Sequence, residues 1–237
     1  IMAVAAVLIY GVYKILFVIS DIKVDGNEQD YADEIIVASG IKNGANLYSF
    51  RNSMAEKKIT LNCPGVGSAT IDKVAPSTVN LIVREEKATF YADFYGEYRQ
   101  MSEKLRVMYA TDKEKAVKDG LILLKLPSVS SATSGEIPVF SGVRSDAYIY
   151  DVISCVRDSE LFGRIVSIDL RNKYSITMNC DGKYLLCVGD TTSLPTKMKI
   201  AVKVLADDMF KGNDKAKINV SDLSETSVVV DNQMILD

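Results

Sequence analysis

The 237-residue chain contains no histidine and no tryptophan. Without imidazole there is no His-based general acid or base, no serine-hydrolase triad and few of the usual zinc sites. An excess of charge of one sign is also missing, because 28 Lys and Arg stand against 31 Asp and Glu for a formal charge of -3. That balance leaves no electrostatic footprint for nucleic acid. Cysteine is sparse, and Cys63, Cys155, Cys180 and Cys187 form neither a CxxC pair nor a metal-ligand spacing. No metal and no cofactor is therefore expected, and the thiols are read as free and mostly buried. Neither GxGxxG nor GxxxxGK occurs, so Gly26, Gly40, Gly44, Gly65 and Gly67 read as turns rather than as a phosphate loop.

What is present begins with IMAVAAVLIYGVYKILFVI at residues 1–19, whose one charge is Lys14. As a helix rising 1.5 Å per residue, such a run reaches roughly 28 Å, close to the hydrocarbon thickness of a bilayer. A single transmembrane helix over residues 1–20 is the expectation, with a buried amphipathic helix or an uncleaved export signal as the alternatives.

Beyond it, Ile22 to Val24 read as a short strand turning at Gly26-Asn27. A helix from about Ala32 follows, with Asp30 as its cap, Ile35, Ile36 and Ala38 inward, and Gly40 as its stop. A second helix is expected from about Ser49, with Phe50, Met54 and Ala55 on its inner face. Alternation at Ala69, Ile71 and Lys73, a Pro76-Ser77 turn, then Val79, Leu81 and Val83 predict a hairpin. Strand, helix, helix, strand, strand is a compact α+β unit over residues 21–88. In the remainder, 89–237, residues 97–118 read as a charged, partly ordered excursion and Leu121 to Pro127 as a buried strand. A helix is predicted over 146–162, then strands at Ile165 to Leu170, Tyr174 to Asn179 and Tyr184 to Val188. A two-residue turn at Asp181-Gly182 would pair Cys180 with Lys183 and set Ile176 opposite Cys187. A helix over Thr196 to Phe210 and strands at Lys217 to Val220 and Ser227 to Val230 complete a sheet-rich second domain with helical cover.

Catalytic patterns are weak. Glu85-Glu86 and Asp207-Asp208 are adjacent, so their carboxylates diverge and read as solvated. Ser39 to Lys42 fits a loose Ser-x-x-Lys pattern, but Gly40 there is a helix end and the supporting elements of such sites are absent. The candidate site is instead Thr226, Ser227, Val228, Val229 and Val230, a β-prone run that is either paired inside a sheet or an edge open to a partner strand.

The order of an apolar helix, IKVDGN, a helix ending ASGI, KNGANL, the hairpin ATIDKVAPSTVNLIVREEKA and a second sheet-rich domain resembles the bacterial FtsQ/DivIB divisome family. The resemblance places Val24, Gly26 and Asn27 at the opening strand and turn of a POTRA domain, and Gly44, Asn46 and Leu47 at its connecting loop. Gly189, Leu194 and Lys197 take the family's positions before a helix of its β domain. It implies a non-enzymatic, single-pass scaffold, mostly outside the cytoplasmic membrane and enriched at the septum. Its partners would be FtsL and FtsB/DivIC-type proteins and possibly a septal wall synthase, and it would help regulate septal peptidoglycan synthesis. A membrane-anchored cell-wall enzyme and a POTRA-containing transport or assembly protein are the alternative readings.

Overall fold

A computed structural model describes residues 11–26, 31–141, 146–206 and 215–234. The chain divides into two compact units. The first holds the described residues up to Lys87 together with Arg106–Tyr109 and Thr133–Glu136; the second holds the rest.

In the first unit β1 (Asp21–Asp25) is followed by α1 (Ala32–Ser39), α2 (Asn52–Asn62), β2 (Val66–Val74) and β3 (Thr78–Glu85). The sheet order is β1-β3-β2, with β1 parallel to β3 and β3 antiparallel to β2. Parallel pairing needs a crossover, and the two helices supply it. Their apolar faces and one face of the sheet enclose Ile19, Ile35, Leu47, Ala55, Ile59, Ile71, Val79, Leu81 and Val83. Helix α1 stops at Gly40, which takes φ 72° and donates its amide to Val37 O. Asp30 and Asn27 lie outside the described residues. Helix α2 starts later than expected because Arg51 is extended, at ψ 128°. Its buried positions are Ala55 and Ile59, one turn apart, and Met54 faces solvent beside them.

The expected span over 1–20 needs a correction at its end. Residues 11–16 are helical, but Phe17 to Ser20 are not, and Ile19 is buried in the first unit's core. Among the described residues no helix is long and apolar enough to cross a membrane, and residues 1–10 lie outside them. The helix gives way where Ile19 N donates to Ala45 O at 2.9 Å, Leu47 N to Phe17 O at 2.7 Å and Gly44 N to Ile19 O at 2.8 Å. These bonds clasp the incoming chain to the 44–47 loop.

The charged stretch 97–118 is ordered throughout, contrary to the sequence expectation. It forms β5 (Glu97–Ser102) after β4 (Ala88–Phe94), then β6 (Val107–Ala110) and α3 (Lys113–Lys118). Its apolar side chains Met101, Leu105, Val107 and Met108 are buried, and Asp112 caps α3 by accepting from Lys115 N. Between them Arg106, only 8% exposed, donates to Val66 O, Thr60 O and Gly135 O, and lies 3.6 Å from the Glu86 carboxylate. This buried guanidinium is why residues 106–109 belong to the first unit rather than to the excursion expected of them. Thr133–Glu136 join through Gly135 N to Val107 O and Val107 N to Glu136 O.

In the second unit β7 (Ile122–Lys125) precedes the small pair β8 (Val129–Ser131) and β9 (Val139–Phe140). Helix α4 (Ala147–Arg157) leads to β10 (Ile165–Asp169), β11 (Ile176–Cys180) and β12 (Tyr184–Gly189). Helix α5 (Leu194–Ala206), β13 (Ala216–Asn219) and β14 (Ser227–Val230) complete it. Within this unit the mixed sheet runs β14-β13-β12-β11-β10-β7-β4-β5. The parallel pairs β7/β10 and β12/β13 are bridged by α4 and α5. Helix α4 buries Ile149, Val152, Ile153 and Val156, as its spacing predicts, but ends at Arg157 rather than 162. Between β11 and β12, Asp181 and Gly182 both have positive φ, and Lys183 joins them in the turn. Cys180 therefore faces Tyr184, and Cys187 faces Thr177 instead of Ile176.

Candidate functional site

The two sheets treat their edges differently. In the first unit β2 is an edge strand, and at Ile71 its backbone is occupied by side chains of α2. Glu56 Oε1 accepts from Ile71 N at 2.9 Å, and Asn52 Nδ2 donates to Ile71 O at 2.8 Å. Asn52 and Glu56 lie four residues apart, one helical turn, so together they mimic a neighbouring strand at that residue.

At the end of the second unit's sheet, β14 has one strand neighbour, β13, and no strand beyond it among the described residues. The register sets Ser227, Val228, Val229 and Val230 opposite Asn219, Ile218, Lys217 and Ala216 without a bulge. Asp231 N donates to Lys215 O, which makes that pair hydrogen-bonded. Since antiparallel backbone groups alternate in direction, those of Val229 point toward β13 and those of Val228 and Val230 point to the open side. Val229 and Val230 are each 58% exposed and Val228 is half-buried. Four of the five sequence-predicted residues thus form this edge, while Thr226 just precedes the strand as exposed chain.

The loop entering α5 stiffens the neighbouring strand's exit. Lys197 is buried, and its Nζ donates to Asp190 O at 3.0 Å and Asp190 Oδ1 at 2.9 Å. The lysine's hydrogen bond, with that of Thr192 N, holds the Asp190 carboxyl below its ordinary pKa. Gly189 has φ 76°, and a Cβ there would come within 2.8 Å of Ser221 Cβ. Leu194 is buried, and its N donates to Thr191 O at 3.2 Å. Gly189, Leu194 and Lys197 are thus all used in fixing this turn.

The other predicted positions form the clasp and the opening strand. Val24 sits in β1 opposite Leu81, and Gly26, at φ 89°, packs against Val83 O so closely that a Cβ would collide with it. Gly44 and Leu47 contribute backbone bonds to Ile19 and Phe17, and Leu47 is fully buried. Asn46 forms a β-bridge with Val18, and its Oδ1 accepts from Tyr48 N at 3.0 Å. These residues and the β14 edge belong to different units. Sequence reasoning missed Arg106, whose signal was the apolar trio Leu105, Val107 and Met108 surrounding it.

The Ser39 to Lys42 pattern serves the fold. Ser39 is buried, its hydroxyl donating to Ile36 O and accepting from Ile41 N, so it secures the end of α1. Burial pushes the Cys63, Cys155 and Cys187 thiols up, and Cys180 up to about 12. No cluster of three or more metal-ligating side chains occurs among the described residues.

Residues 17–86 match the family model of the POTRA domain, FtsQ-type. The match begins at Phe17, where the helix gives way to the clasp. Over 212 residues the chain is 24% identical to the cell division protein DivIB of Clostridium botulinum strain Hall, covering 86% of this chain and 78% of that protein. It is 27% identical over 212 residues to the DivIB of Clostridium acetobutylicum, covering 83% and 81%. The chain is thus similar to proteins of the FtsQ/DivIB family over most of its length, and carries an FtsQ-type POTRA domain at residues 17–86. The β1-α1-α2-β2-β3 order of the first unit is therefore that of a POTRA domain, and the fold as a whole is α+β and sheet-rich.

Proposed function

We propose that this chain is a non-enzymatic, single-pass membrane scaffold of the bacterial divisome, of the FtsQ/DivIB family. Its POTRA domain spans residues 21–88, preceded by the clasp, and its β domain spans 89–237. Residues 1–16 anchor it, the bulk of the chain lies outside the cytoplasmic membrane, and the protein acts at the septum. The β domain binds FtsL and FtsB/DivIC-type partners and so helps regulate septal peptidoglycan synthesis.

The observation that carries this reading is the edge of β14, which has no strand beyond it among the described residues and directs the backbone of Val228 and Val230 outward beside exposed valine side chains. A partner strand added there gains main-chain hydrogen bonds, and alternate side chains select which strand fits. The modest identity to DivIB proteins supports the cell-division setting. The test is capture of partners from cells by the full anchored chain, with and without Val229→Glu. Burying the exposed part of Val229 is worth ~1 kcal/mol, and a desolvated carboxylate adds to the loss, so a drop of tenfold or more is expected. Unchanged capture of FtsL- and FtsB/DivIC-type proteins removes β14 as the interface, and capture of transport machinery instead removes the divisome reading.

A further inference from the structure

The apolar surface of the N-terminal helix does not stop where the POTRA domain starts. Within the helical residues 11–16, Val12, Ile15 and Leu16 are exposed, Ile15 by 78%. Tyr13 and Phe17 meet a third ring that the sequence places far away. Tyr48 lies 6.1 Å from Tyr13, with the planes 21° apart, and 5.3 Å edge-on from Phe17. The clasp causes this meeting, since Leu47 N bonds Phe17 O and the Asn46 side chain both accepts from Tyr48 N and donates to Tyr13 O at 3.4 Å. Although held by the folded domain, Tyr48 remains 49% exposed.

A cation borders the patch. Lys73 Nζ sits 3.9 Å from the centre of the Phe50 ring and 5.7 Å from that of Tyr48, while donating to Phe50 O at 2.8 Å. Tyrosines bearing an apolar body and a polar tip, bordered by a lysine ammonium, are the composition of a bilayer's headgroup zone. In sequence, the helical residues 11–16 end an apolar run over 1–16 whose single charge is Lys14. Lipid is therefore the occupant that accounts for both parts, since a patch that merely bound protein would have no reason to adjoin an apolar run whose single charge is Lys14.

The geometry points to Tyr48, with Tyr13 and Phe17, lying in the lipid headgroup region, so that the POTRA domain itself rests on the membrane instead of hanging from a free tether. This inference rests on the anchoring reading above. It is tested in the full chain, which lacks tryptophan, by placing single reporters with Val12→Trp, Tyr48→Trp and Val37→Trp. Val37 is 79% exposed on α1. Each variant is reconstituted in phosphatidylcholine vesicles carrying bromine either near the headgroup or deep in the acyl chains.

Tyr48→Trp is expected to be quenched more by shallow than by deep bromine, Val12→Trp to be quenched, and Val37→Trp to be unaffected. If Val12→Trp is quenched and Tyr48→Trp is not, the headgroup placement is overturned while anchoring survives. If Val12→Trp is not quenched, the anchoring reading itself fails. Emission from Tyr48→Trp that shifts to the blue with protein concentration but ignores bromine overturns the placement in favour of a protein contact.

Discussion

Replacing Arg106 by methionine is expected to unfold the POTRA unit without touching its hydrophobic core. The side chain is nearly water-free, and its guanidinium serves Val66 O, Thr60 O and Gly135 O at 2.9, 2.9 and 3.1 Å while lying 3.6 Å from Glu86. A hydrogen bond from a charged donor is worth ~1.5–3 kcal/mol, and removing one partner of a buried ion pair costs ~3–5 kcal/mol. These terms share one rigid group and do not add, so a loss of ~4 kcal/mol is the working figure. A unit of this size has a total stability of ~4–13 kcal/mol, and each kcal/mol shifts Tm by ~4–8 °C. The POTRA transition should therefore fall by ~15–30 °C in Arg106→Met. The assay is thermal unfolding followed by hydrogen exchange at Val66 N and Glu86 N, whose bonds to Cys63 O and Gly65 O flank the site. Adding Glu86→Met to the first substitution should restore ~1–2 kcal/mol by removing the carboxylate left behind. A loss below ~1 kcal/mol in Arg106→Met, with unaltered exchange, would refute the assignment of this residue as the tie between the 106–109 return and the β2 entry.

Other outcomes follow from single positions. Gly26→Ala should destabilise the POTRA unit by ~1–3 kcal/mol in urea unfolding, because it strains a positive φ and drives a Cβ into Val83 O. Burial raises the Cys180 thiol from 9.0 to about 12. Below pH ~9 the thiol is protonated whether folded or unfolded, and above it only the unfolded chain releases the proton, so stability falls by ~1.4 kcal/mol per pH unit toward pH ~12. Cys180→Ala should remove that part of the alkaline slope, as read by unfolding between those pH values.

The parts of the fold that were legible in the sequence are those with local causes. The end of α1 is written in Gly40, and the β2/β3 hairpin in its alternating residues, because neither depends on distant chain. What stayed hidden was set at long range. Arg106 reads as one more charge in a polar stretch until its acceptors, 29 to 46 residues away, are known. The clasp that ends the N-terminal helix at residue 16 depends on a loop at 44–47, so hydropathy alone overextended the span to residue 20. The β14 run was recognisable as a strand, but its valines cannot reveal which side of the strand lacks a neighbour. A one-residue difference in the turn after Cys180 likewise moved the predicted partner of Cys187, since register depends on how many residues the turn consumes.

The central claim is that a partner strand docks on β14, and amide exchange along that strand measures it most directly. In the full chain with its FtsL and FtsB/DivIC-type partners added, the outward amides of Val228 and Val230 should become strongly protected while that of Val229, already directed at β13, changes little. Binding that leaves Val228 and Val230 exchanging as they do in the free protein would contradict strand addition at this edge.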